Sequence, residues 1–486
     1  MKTVAEIPKP REHRKHPVSA DEIASLNTAI TESGCVRRWT RLCAAFVSFA
    51  GTGPWLYSRP SRPGEPAQGW KLHVSATVVD ACDLFERVAP VCARRDLRFK
   101  APKTLRDLID LNSGVRYGYS QVGKFITIYP SNESEALELA RELHEVTHEF
   151  VSVQVPFDRH YSEGSNVFYR YGTFETIEIN TADGSSVSGI RNASGELVPD
   201  DCTRPVPEWV LDPFDELNGS VDELPDDAVS PLATTYRVFR AVSQRGKGGT
   251  YHALDVSGDL PRFCIVKEGR RNGELGWNGQ DGYELVRNEE TVLRALEKCD
   301  DAPTIYSSFQ VEGNFYLVME YVDGKSLFDL MKVRRRRFSI KQIIDYSIGI
   351  AEVLERIGNA GWVWNDCKPA NIIVTKNGAL RPIDFENSYR IGSIPSFNWR
   401  SNNYSRRNAV GPAADLYSLG AAMYFMLTGV FYDPGAPTPI EKLRRNVTRP
   451  LSALTRGLLE DSEHAEAKEV RNQLQTLAKG SRIFLD

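Results

Sequence analysis

The chain has 486 residues, which is more than one hydrophobic core usually serves, so two or three domains are expected. Its formal net charge of −4 provides no overall basic field, which argues against nucleic acid or a membrane surface as a partner. The eight cysteines are scattered without a Cys-x-x-Cys pair, and no apolar stretch approaches the roughly 20 residues of a membrane span. We therefore expect a cytoplasmic protein without a disulfide framework, a structural zinc site or a signal peptide.

The N-terminal part, residues 1–204, is predicted to form a compact α+β domain. Apolar spacing predicts a helical pair over residues 20–50, ahead of a loop rich in Gly, Pro and Ser. Strand and helix patterns then alternate, which is typical of a domain with interspersed strands and helices. The predicted elements are a strand at 70–75, a helix at 78–88, a strand around 99–100, a strand at 123–129, a helix at 133–148 and a strand at 167–171.

A set of basic side chains lies on or beside these predicted strands. Lys71 and His73 are two residues apart on one strand, so both project from the same face. Each Lys or Arg taken alone fits ordinary surface charge, but a converging set would form a phosphate pocket, with Asp158 as its counter-charge. The candidate residues of this pocket are Lys71, His73, Lys100, Arg116, Lys124, Arg170 and Asp158.

Residues 205–231 form an acidic, proline-rich stretch that is predicted to be a linker wrapped on the protein surface. Trp209 and Phe214 inside it are expected to pin the linker at two points. A new strand pattern starts at Tyr236, so residues 232–486 are predicted to form a further domain.

This last segment begins with a glycine-rich turn between two predicted strands. Gly246, Gly248 and Gly249 would let backbone amides close over phosphates, although such a loop alone is a weak signal. Lys267 on the next strand can pair with nucleotide phosphates, which strengthens the prediction.

A carboxylate and a hinge are expected after this lysine. Glu289 on the following predicted helix can hold Lys267, because Val292 and Leu293 then fall on the inner face of the helix, and Glu290 is the alternative. Glu320 belongs to a strand and hinge, residues 319–324, against which an adenine ring would stack.

The most informative motif lies between residues 364 and 386. Phosphoryl transfer needs an Asp to orient the attacking hydroxyl, a Lys near the moving phosphate, and Asn plus Asp to hold Mg²⁺. Asp366, Lys368, Asn371 and Asp384 supply these side chains in this order. The motif therefore predicts a kinase that uses ATP, or another nucleoside triphosphate, and Mg²⁺.

These elements, in this order, resemble the eukaryotic-like protein kinase family over the whole of 232–486. The chain departs from the family where Trp364 and Asn365 replace the usual His-Arg, and where Glu386 replaces the glycine of Asp-Phe-Gly. The missing Arg implies activation without loop phosphorylation, and the missing glycine argues against a large flip of this segment.

The sequence contexts of the basic set resemble the phosphoserine/phosphothreonine lyase domain of class III and class IV lanthipeptide synthetases, in which a lyase precedes a kinase. The resemblance implies a phosphothreonine-lyase-like domain followed by a bilobal protein-kinase-like domain. It implies that Lys100 is the base, that His73 is the general acid, and that the phosphate ligands are Lys71, Arg116, Lys124 and Arg170.

The expected function is therefore dehydration of a ribosomal precursor peptide in two steps. The kinase would phosphorylate Ser or Thr, and the lyase would eliminate phosphate to give dehydroalanine or dehydrobutyrine. Expected partners are the precursor peptide with its leader and a separate cyclase, since no cyclase sequence follows residue 486; a product that keeps its dehydroamino acids, or a shortened chain, are the alternatives.

Two other functions remain open from sequence. A signalling Ser/Thr kinase with a regulatory phosphopeptide-binding N-terminal domain would keep the basic pocket but need no acid and base. A pseudokinase scaffold with an inactive lyase is the second, although the intact Lys267, Asp366, Asn371 and Asp384 argue against it.

Overall fold

The computed structural model describes residues 20–175, 177–180, 186–215, 230–299, 301–333, 337–393, 403–406, 409–460 and 466–480. Part of the predicted linker, residues 216–229, lies outside these ranges. Among the described residues, no helix combines the length and the apolar character that a membrane span requires.

The described α-helices range from 4 to 27 residues in length, and the first one is the longest. Residues 20–50 hold one long helix instead of the predicted pair, since the polar residues between the two apolar runs continue as helix. The α-helices are α1 Ala20–Phe46, α2 Ala81–Arg94, α3 Leu105–Ser113, α4 Glu133–Thr147, α5 Pro231–Thr234, α6 Gly282–Ala295, α7 Leu327–Val333, α8 Ile340–Asn359, α9 Pro412–Thr428, α10 Ile440–Leu443, α11 Arg449–Glu460 and α12 Ala467–Gly480.

The described strands fall into an N-terminal and a C-terminal group. The first group is β1 Phe49–Ala50, β2 Trp55–Tyr57, β3 Gln68–Val74, β4 Arg98–Pro102, β5 Ile126–Tyr129, β6 Arg159–His160, β7 Val167–Thr173, β8 Glu178–Asn180, β9 Ser186–Arg191 and β10 Leu197–Pro199. The second is β11 Tyr236–Arg245, β12 Gly248–Asp255, β13 Arg262–Gly269, β14 Ile305–Val311, β15 Asn314–Glu320, β16 Gly324–Ser326, β17 Trp362–Val363, β18 Ile372–Thr375, β19 Leu380–Pro382 and β20 Tyr389–Arg390.

The N-terminal domain is built on an antiparallel sheet of order β1-β2-β4-β5-β3-β7-β6. Its apolar face packs against helices, and Leu72, Phe99 and Ile128 are buried there with Phe85 of α2. Because strand side chains alternate, Lys71, His73 and Lys100 project from the opposite face. One face therefore forms the core, and the other is left for polar chemistry.

Local capping fixes two helices beside this sheet. Helix α3 begins at Thr104, whose hydroxyl accepts a hydrogen bond from the amide of Asp107, and ends at Gly114 with φ 70°. Helix α4 begins at Asn132, whose side chain accepts from the amide of Glu135. The end of α3 matters below, because it contacts the C-terminal domain.

The first half of the predicted linker packs on the N-terminal domain. The ring of Phe214 is fully buried and stacks on Tyr169 with 4.0 Å between ring centroids, whereas Trp209 is 42% exposed. Asp212 accepts hydrogen bonds from the Tyr169 hydroxyl at 3.1 Å and from Arg159 at 2.7 Å. Residues up to 215 thus extend the N-terminal domain beyond the boundary expected at 204.

The C-terminal domain has two lobes. The first contains the antiparallel sheet β11-β12-β13-β15-β14 with α6 packed on one face. The second is mainly helical and is centred on α9, whose residues from Ala414 to Thr428 are buried. Helix α8 starts with a capping box between Ser339 and Gln342 and packs against α9 and α12.

Candidate active sites

The basic residues of the N-terminal domain meet on the polar face of its sheet. The strand register places Lys100 opposite Thr127, Thr127 opposite His73, and Lys71 opposite Arg170. Directly opposed residues share a face, so these side chains form two adjacent rows. Lys124 lies just before β5 and joins these side chains because it pairs with Asp158, which also contacts His73. We call the set Lys71, His73, Lys100, Lys124 and Arg170 the basic cluster.

Asp158 holds two members of the basic cluster. Its Oδ2 lies 2.5 Å from His73 Nδ1, and its Oδ1 lies 3.3 Å from Lys124 Nζ. Its burial would raise its pKa, but His73, Lys124 and Arg170 outweigh that effect and lower the pKa of Asp158 to about 2. The carboxylate is therefore a fixed counter-charge, and it orients the imidazole with Nε2 as the ring atom left for other contacts.

Lys71 and Lys100 are the two lysines of the basic cluster whose pKa values fall to about 7. Burial, followed by the charges of Lys71, Lys124 and Arg98, lowers the pKa of Lys100 to about 7, and its ammonium nitrogen lies 4.2 Å from the ring centroid of Trp55. Burial and Arg170 lower the pKa of Lys71 to about 7, although Asp200 and Asp158 partly restore its charge. The charges acting on Lys100 are all cations, which favours its neutral form near pH 7.

Burial also controls the histidine. It lowers the pKa of His73 to about 3, with Asp158 opposing the effect and Lys124 and Lys71 adding to it. An arriving phosphate dianion would add negative charge to this buried set and raise the pKa of His73 again. The protonation of His73 is thus expected to follow occupancy of the basic cluster.

Arg170 is held by a residue that sequence reasoning missed. Its guanidinium donates a 2.5 Å hydrogen bond to Asp200, and both side chains are nearly buried. Among the described residues, the Nε of Arg170 has no hydrogen-bond partner, so a buried donor remains at the cluster. Asp200 lies in an acidic stretch, and no local pattern separates it from its neighbours in sequence.

Arg116 is not part of the basic cluster, contrary to the prediction. Its guanidinium pairs with Asp110 at 3.1 Å and lies over the ring of Tyr117, and its side chain is 66% exposed. The local turn after α3 turns this residue outward. Arg98, which acts on Lys100 and lies between the rings of Tyr57 and Tyr129, is the additional arginine beside the cluster.

A second site lies between the two lobes of the C-terminal domain, in a cleft of about 860 Å³. Lys267 Nζ is 2.6 Å from Glu289 and 2.8 Å from Asp384. Burial opposes its charge, but Asp384 and Glu289 outweigh burial and raise the pKa of Lys267. Glu290, the alternative partner, instead binds Arg294 and Ser308.

The predicted catalytic residues lie together on the floor of this cleft. Lys368 Nζ is 2.7 Å from Asp366, and the amide nitrogen of Asn371 donates a 2.8 Å hydrogen bond to the same carboxylate. That bond uses the nitrogen of Asn371 and leaves its amide oxygen as the atom able to hold a cation. Asn371 and Asp384 line the cleft together, and their oxygen atoms suit Mg²⁺.

A buried carboxylate supports this floor from below. Asp415 of α9 accepts hydrogen bonds from the amides of Trp364 at 2.8 Å and Asn365 at 2.7 Å. Asn365 and Asp384 both have positive φ, 64° and 69°, and the indole of Trp364 donates to the carbonyl of Asp384. Two sparsely populated backbone conformations are thus held at the site. The Trp-Asn pair at 364–365 joins the two halves of the motif.

The glycine-rich loop joins β11 to β12 above the cleft. Gly248 and Gly249 line the cleft, and Gly248 has φ 140°, a conformation that glycine adopts readily. Gly246 does not line it, contrary to the prediction, because it lies against Asn112 of the N-terminal domain. The Glu320 side chain is bound to Arg381 at 2.8 Å, so only its backbone is available to a ligand.

Lys247 and Glu386 were not predicted as site residues, yet both line the cleft and form an ion pair across it. A lysine in a glycine-rich loop fits a solvated turn, so sequence alone gave it no role. In the sequence, Glu386 is distinguished only by its departure from Asp-Phe-Gly.

Comparison with known proteins matches both domains. Residues 37–221 match the family of the RamC N-terminal domain, and residues 265–480 match the protein kinase domain. A probable SapB synthase from Streptomyces coelicolor is 29% identical over 354 residues, which are 70% of this chain and 37% of that relative. This chain thus spans little more than a third of that relative's length.

Two further relatives are serine/threonine-protein kinases by name. Serine/threonine-protein kinase PknA of Nostoc is 30% identical over 218 residues, 41% of this chain and 38% of the relative. Serine/threonine-protein kinase F of Synechocystis is 26% identical over 221 residues, 41% of this chain and 44% of the relative. A segment that matches the RamC N-terminal domain thus precedes one that matches the protein kinase domain, which confirms the combination expected from the sequence.

Proposed function

We propose that this chain dehydrates Ser or Thr residues of a precursor peptide, by phosphorylation in the kinase cleft and elimination of phosphate at the basic cluster. The convergence of four buried or half-buried cations and a carboxylate-bound histidine on one sheet face carries the proposal. The relative named as a probable SapB synthase supports a peptide-modifying role.

In the first step the kinase domain transfers the terminal phosphoryl group of ATP. Asp366 would orient the peptide hydroxyl, and Lys368 beside it would offset the negative charge that develops on the phosphoryl oxygens. Lys267, held by Glu289, would position the phosphates. Mg²⁺ would be held by Asn371 and Asp384, where it neutralises phosphate charge when bound.

In the second step the phosphorylated residue loses its Cα proton and its phosphate. Neutral Lys100 would accept the Cα proton, the electron pair would form the Cα–Cβ double bond, and the Cβ–O bond would break. Lys71, Lys124 and Arg170 would bind the departing phosphate, and a protonated His73 would donate a proton to its oxygen. The two steps consume ATP and release ADP and phosphate.

The charges of the basic cluster fit this division of roles. Burial and neighbouring cations lower the pKa of Lys100 to about 7, so its neutral form is well populated near pH 7. His73 is bound to Asp158, which favours its protonation once phosphate arrives. The environment of Lys100 thus favours the neutral form that a base needs, and that of His73 with bound phosphate favours the protonated form that an acid needs.

Mass spectrometry of a precursor peptide incubated with the chain, ATP and Mg²⁺ tests the proposal. The parent chain should yield a peptide that has lost the mass of water. The Asp366→Ala variant should leave the peptide unmodified, and the Lys100→Ala variant should leave a peptide carrying one added HPO₃ per modified residue.

The outcome also separates the alternative function. A parent chain whose product keeps its phosphate is a peptide kinase with a phosphopeptide-binding N-terminal domain, which overturns the lyase step. Dehydration by Lys100→Ala at the parent rate would remove the base assignment while leaving the two-step scheme.

A further inference from the structure

Lys247 is placed at the tip of the glycine-rich loop with its side chain directed down into the kinase cleft. Its ammonium group forms an ion pair with Glu386 on the opposite side of the cleft. Its backbone is fixed by two hydrogen bonds, from its amide to Glu274 at 3.1 Å and from the amide of Arg270 to its carbonyl at 2.8 Å. The direction of the side chain is thus set by the loop backbone.

The surroundings of this ammonium group are the carboxylates around the predicted metal site. Burial opposes its charge, but Glu386 and Asp384 outweigh burial and raise the pKa of Lys247, with Glu274 adding to the effect. The same cleft is lined by Lys267, Asp366 and Asn371. Lys247 therefore stays charged and faces the place where a triphosphate must lie, between the glycine-rich loop and Asp384.

We propose that Lys247 is a second phosphate-binding lysine of the kinase cleft, which rests on Glu386 and moves to the terminal phosphates of ATP when the nucleotide binds. This inference rests on the proposed kinase reaction. Lys267 approaches the phosphates from β13 and Lys247 from the loop tip, so the two cations would hold the triphosphate from two sides.

Glu386 takes part by competition. A glycine at position 386, as in the usual Asp-Phe-Gly, could hold no lysine, so the ion pair depends on the substitution that distinguishes this chain. While the carboxylate of Glu386 binds the ammonium group of Lys247, that group is less available to phosphate. Removing the charge of Glu386 should therefore favour nucleotide binding, whereas removing Lys247 should weaken it.

Calorimetric titration of the full chain with ATP, ADP and AMP in the presence of Mg²⁺ tests this inference. The Lys247→Met variant should bind ATP and ADP about tenfold more weakly and bind AMP as the parent does, since AMP lacks the terminal phosphates. The Glu386→Gln variant should bind ATP at least as tightly as the parent. The Lys325→Met variant, which removes a lysine from the hinge end of the cleft, should not change the ratio of ATP to AMP affinity.

Three outcomes would count against this inference or the function beneath it. Parent-like ATP affinity in Lys247→Met overturns it. It is also overturned if Lys247→Met and Glu386→Gln lose ATP affinity equally and both melt at lower temperatures, because the ion pair would then only stabilise the fold. A parent chain that binds no nucleotide would instead contradict the proposed kinase reaction.

Discussion

The backbone amide of Gly246 donates a 3.2 Å hydrogen bond to the carbonyl oxygen of Ser113. This bond joins the glycine-rich loop of the kinase domain to the end of α3 in the N-terminal domain. The segment after β13 makes two further contacts with the N-terminal domain: Arg270 lies 5.4 Å from the ring centroid of Tyr119, and Asn272 donates to the carbonyl of Ser152. This segment is tied to the loop, because the amide of Arg270 donates to the carbonyl of Lys247. The kinase loop is therefore positioned partly by the other domain.

The contact also brings the loop near the basic cluster. Asn112, whose carbonyl faces Gly246, accepts a hydrogen bond from the amide of Gly123 at 3.2 Å through its side chain. Gly123 directly precedes Lys124. A short series of contacts thus runs from the basic cluster to the loop over the kinase cleft.

Gly246→Ala is expected to impair phosphotransfer through this domain contact. A Cβ atom at position 246 would lie 1.7 Å from the carbonyl oxygen of Asn112, so the loop or the domain must move. We expect the KM for ATP to rise about tenfold while elimination from a synthetic phosphopeptide stays near the parent rate.

The matched control is Gly258→Ala, in the turn between β12 and β13, where nothing lies within 4 Å of the added atom. Both variants carry the same change of composition in the same lobe. Equal kinetics for the two would show that the contact at Gly246 does not position the loop.

Arg170→Ala and Arg116→Ala should separate an arginine of the basic cluster from one on the surface. Arg170 is buried beside Lys71 and held by Asp200, whereas Arg116 is exposed and pairs with Asp110. We expect Arg170→Ala to reduce kcat/KM for elimination about a hundredfold, and Arg116→Ala to change it less than twofold. Steady-state kinetics on a synthetic phosphopeptide, without ATP, measure both; a large loss in Arg116→Ala would restore the original prediction for that residue.

The elimination rate should depend on pH through Lys100. Its pKa of about 7 means that it is mostly protonated below pH 7 and neutral above it. A base must be neutral, so kcat/KM for the phosphopeptide should rise about tenfold per pH unit below 7. It should stop rising above pH 7, where Lys71, whose pKa is also about 7, loses the charge that would bind phosphate. The second pKa of phosphate is about 6, so phosphopeptide affinity must be measured over the same range to separate binding from proton abstraction. A value of kcat/KM that falls as pH rises from 6 to 7 would contradict the assignment of Lys100.

Much of this architecture could be read from the sequence because its signals are local. Alternation around Lys71 and His73 predicted a shared face, and the order of Lys267, Asp366, Asn371 and Asp384 predicted the cleft. The choice of Glu289 over Glu290 followed from helical spacing, and the structure places Glu289 at the lysine.

The remaining features depend on contacts between distant parts of the chain. Asp200 meets Arg170 across 30 positions and Lys247 meets Glu386 across 139, and neither pair leaves a periodic pattern. Gly246 resembled a phosphate-binding glycine in sequence, yet its surroundings belong to the other domain. The prediction that Arg116 binds phosphate was wrong because a short turn, rather than a strand, sets the direction of its side chain.

Asp415→Ala should abolish phosphotransfer without affecting elimination. The buried carboxylate is the acceptor for two amides of the catalytic loop, those of Trp364 and Asn365, and its loss leaves both donors unpaired. An unpaired buried donor costs roughly 1–3 kcal/mol, so the loop should leave its conformation and Asp366 should lose its position. Peptide phosphorylation and the melting temperature measure the effect, with the exposed Asp345→Ala of α8 as the matched control. Phosphorylation at the parent rate by Asp415→Ala would mean that the loop holds its positive-φ residue Asn365 without this support.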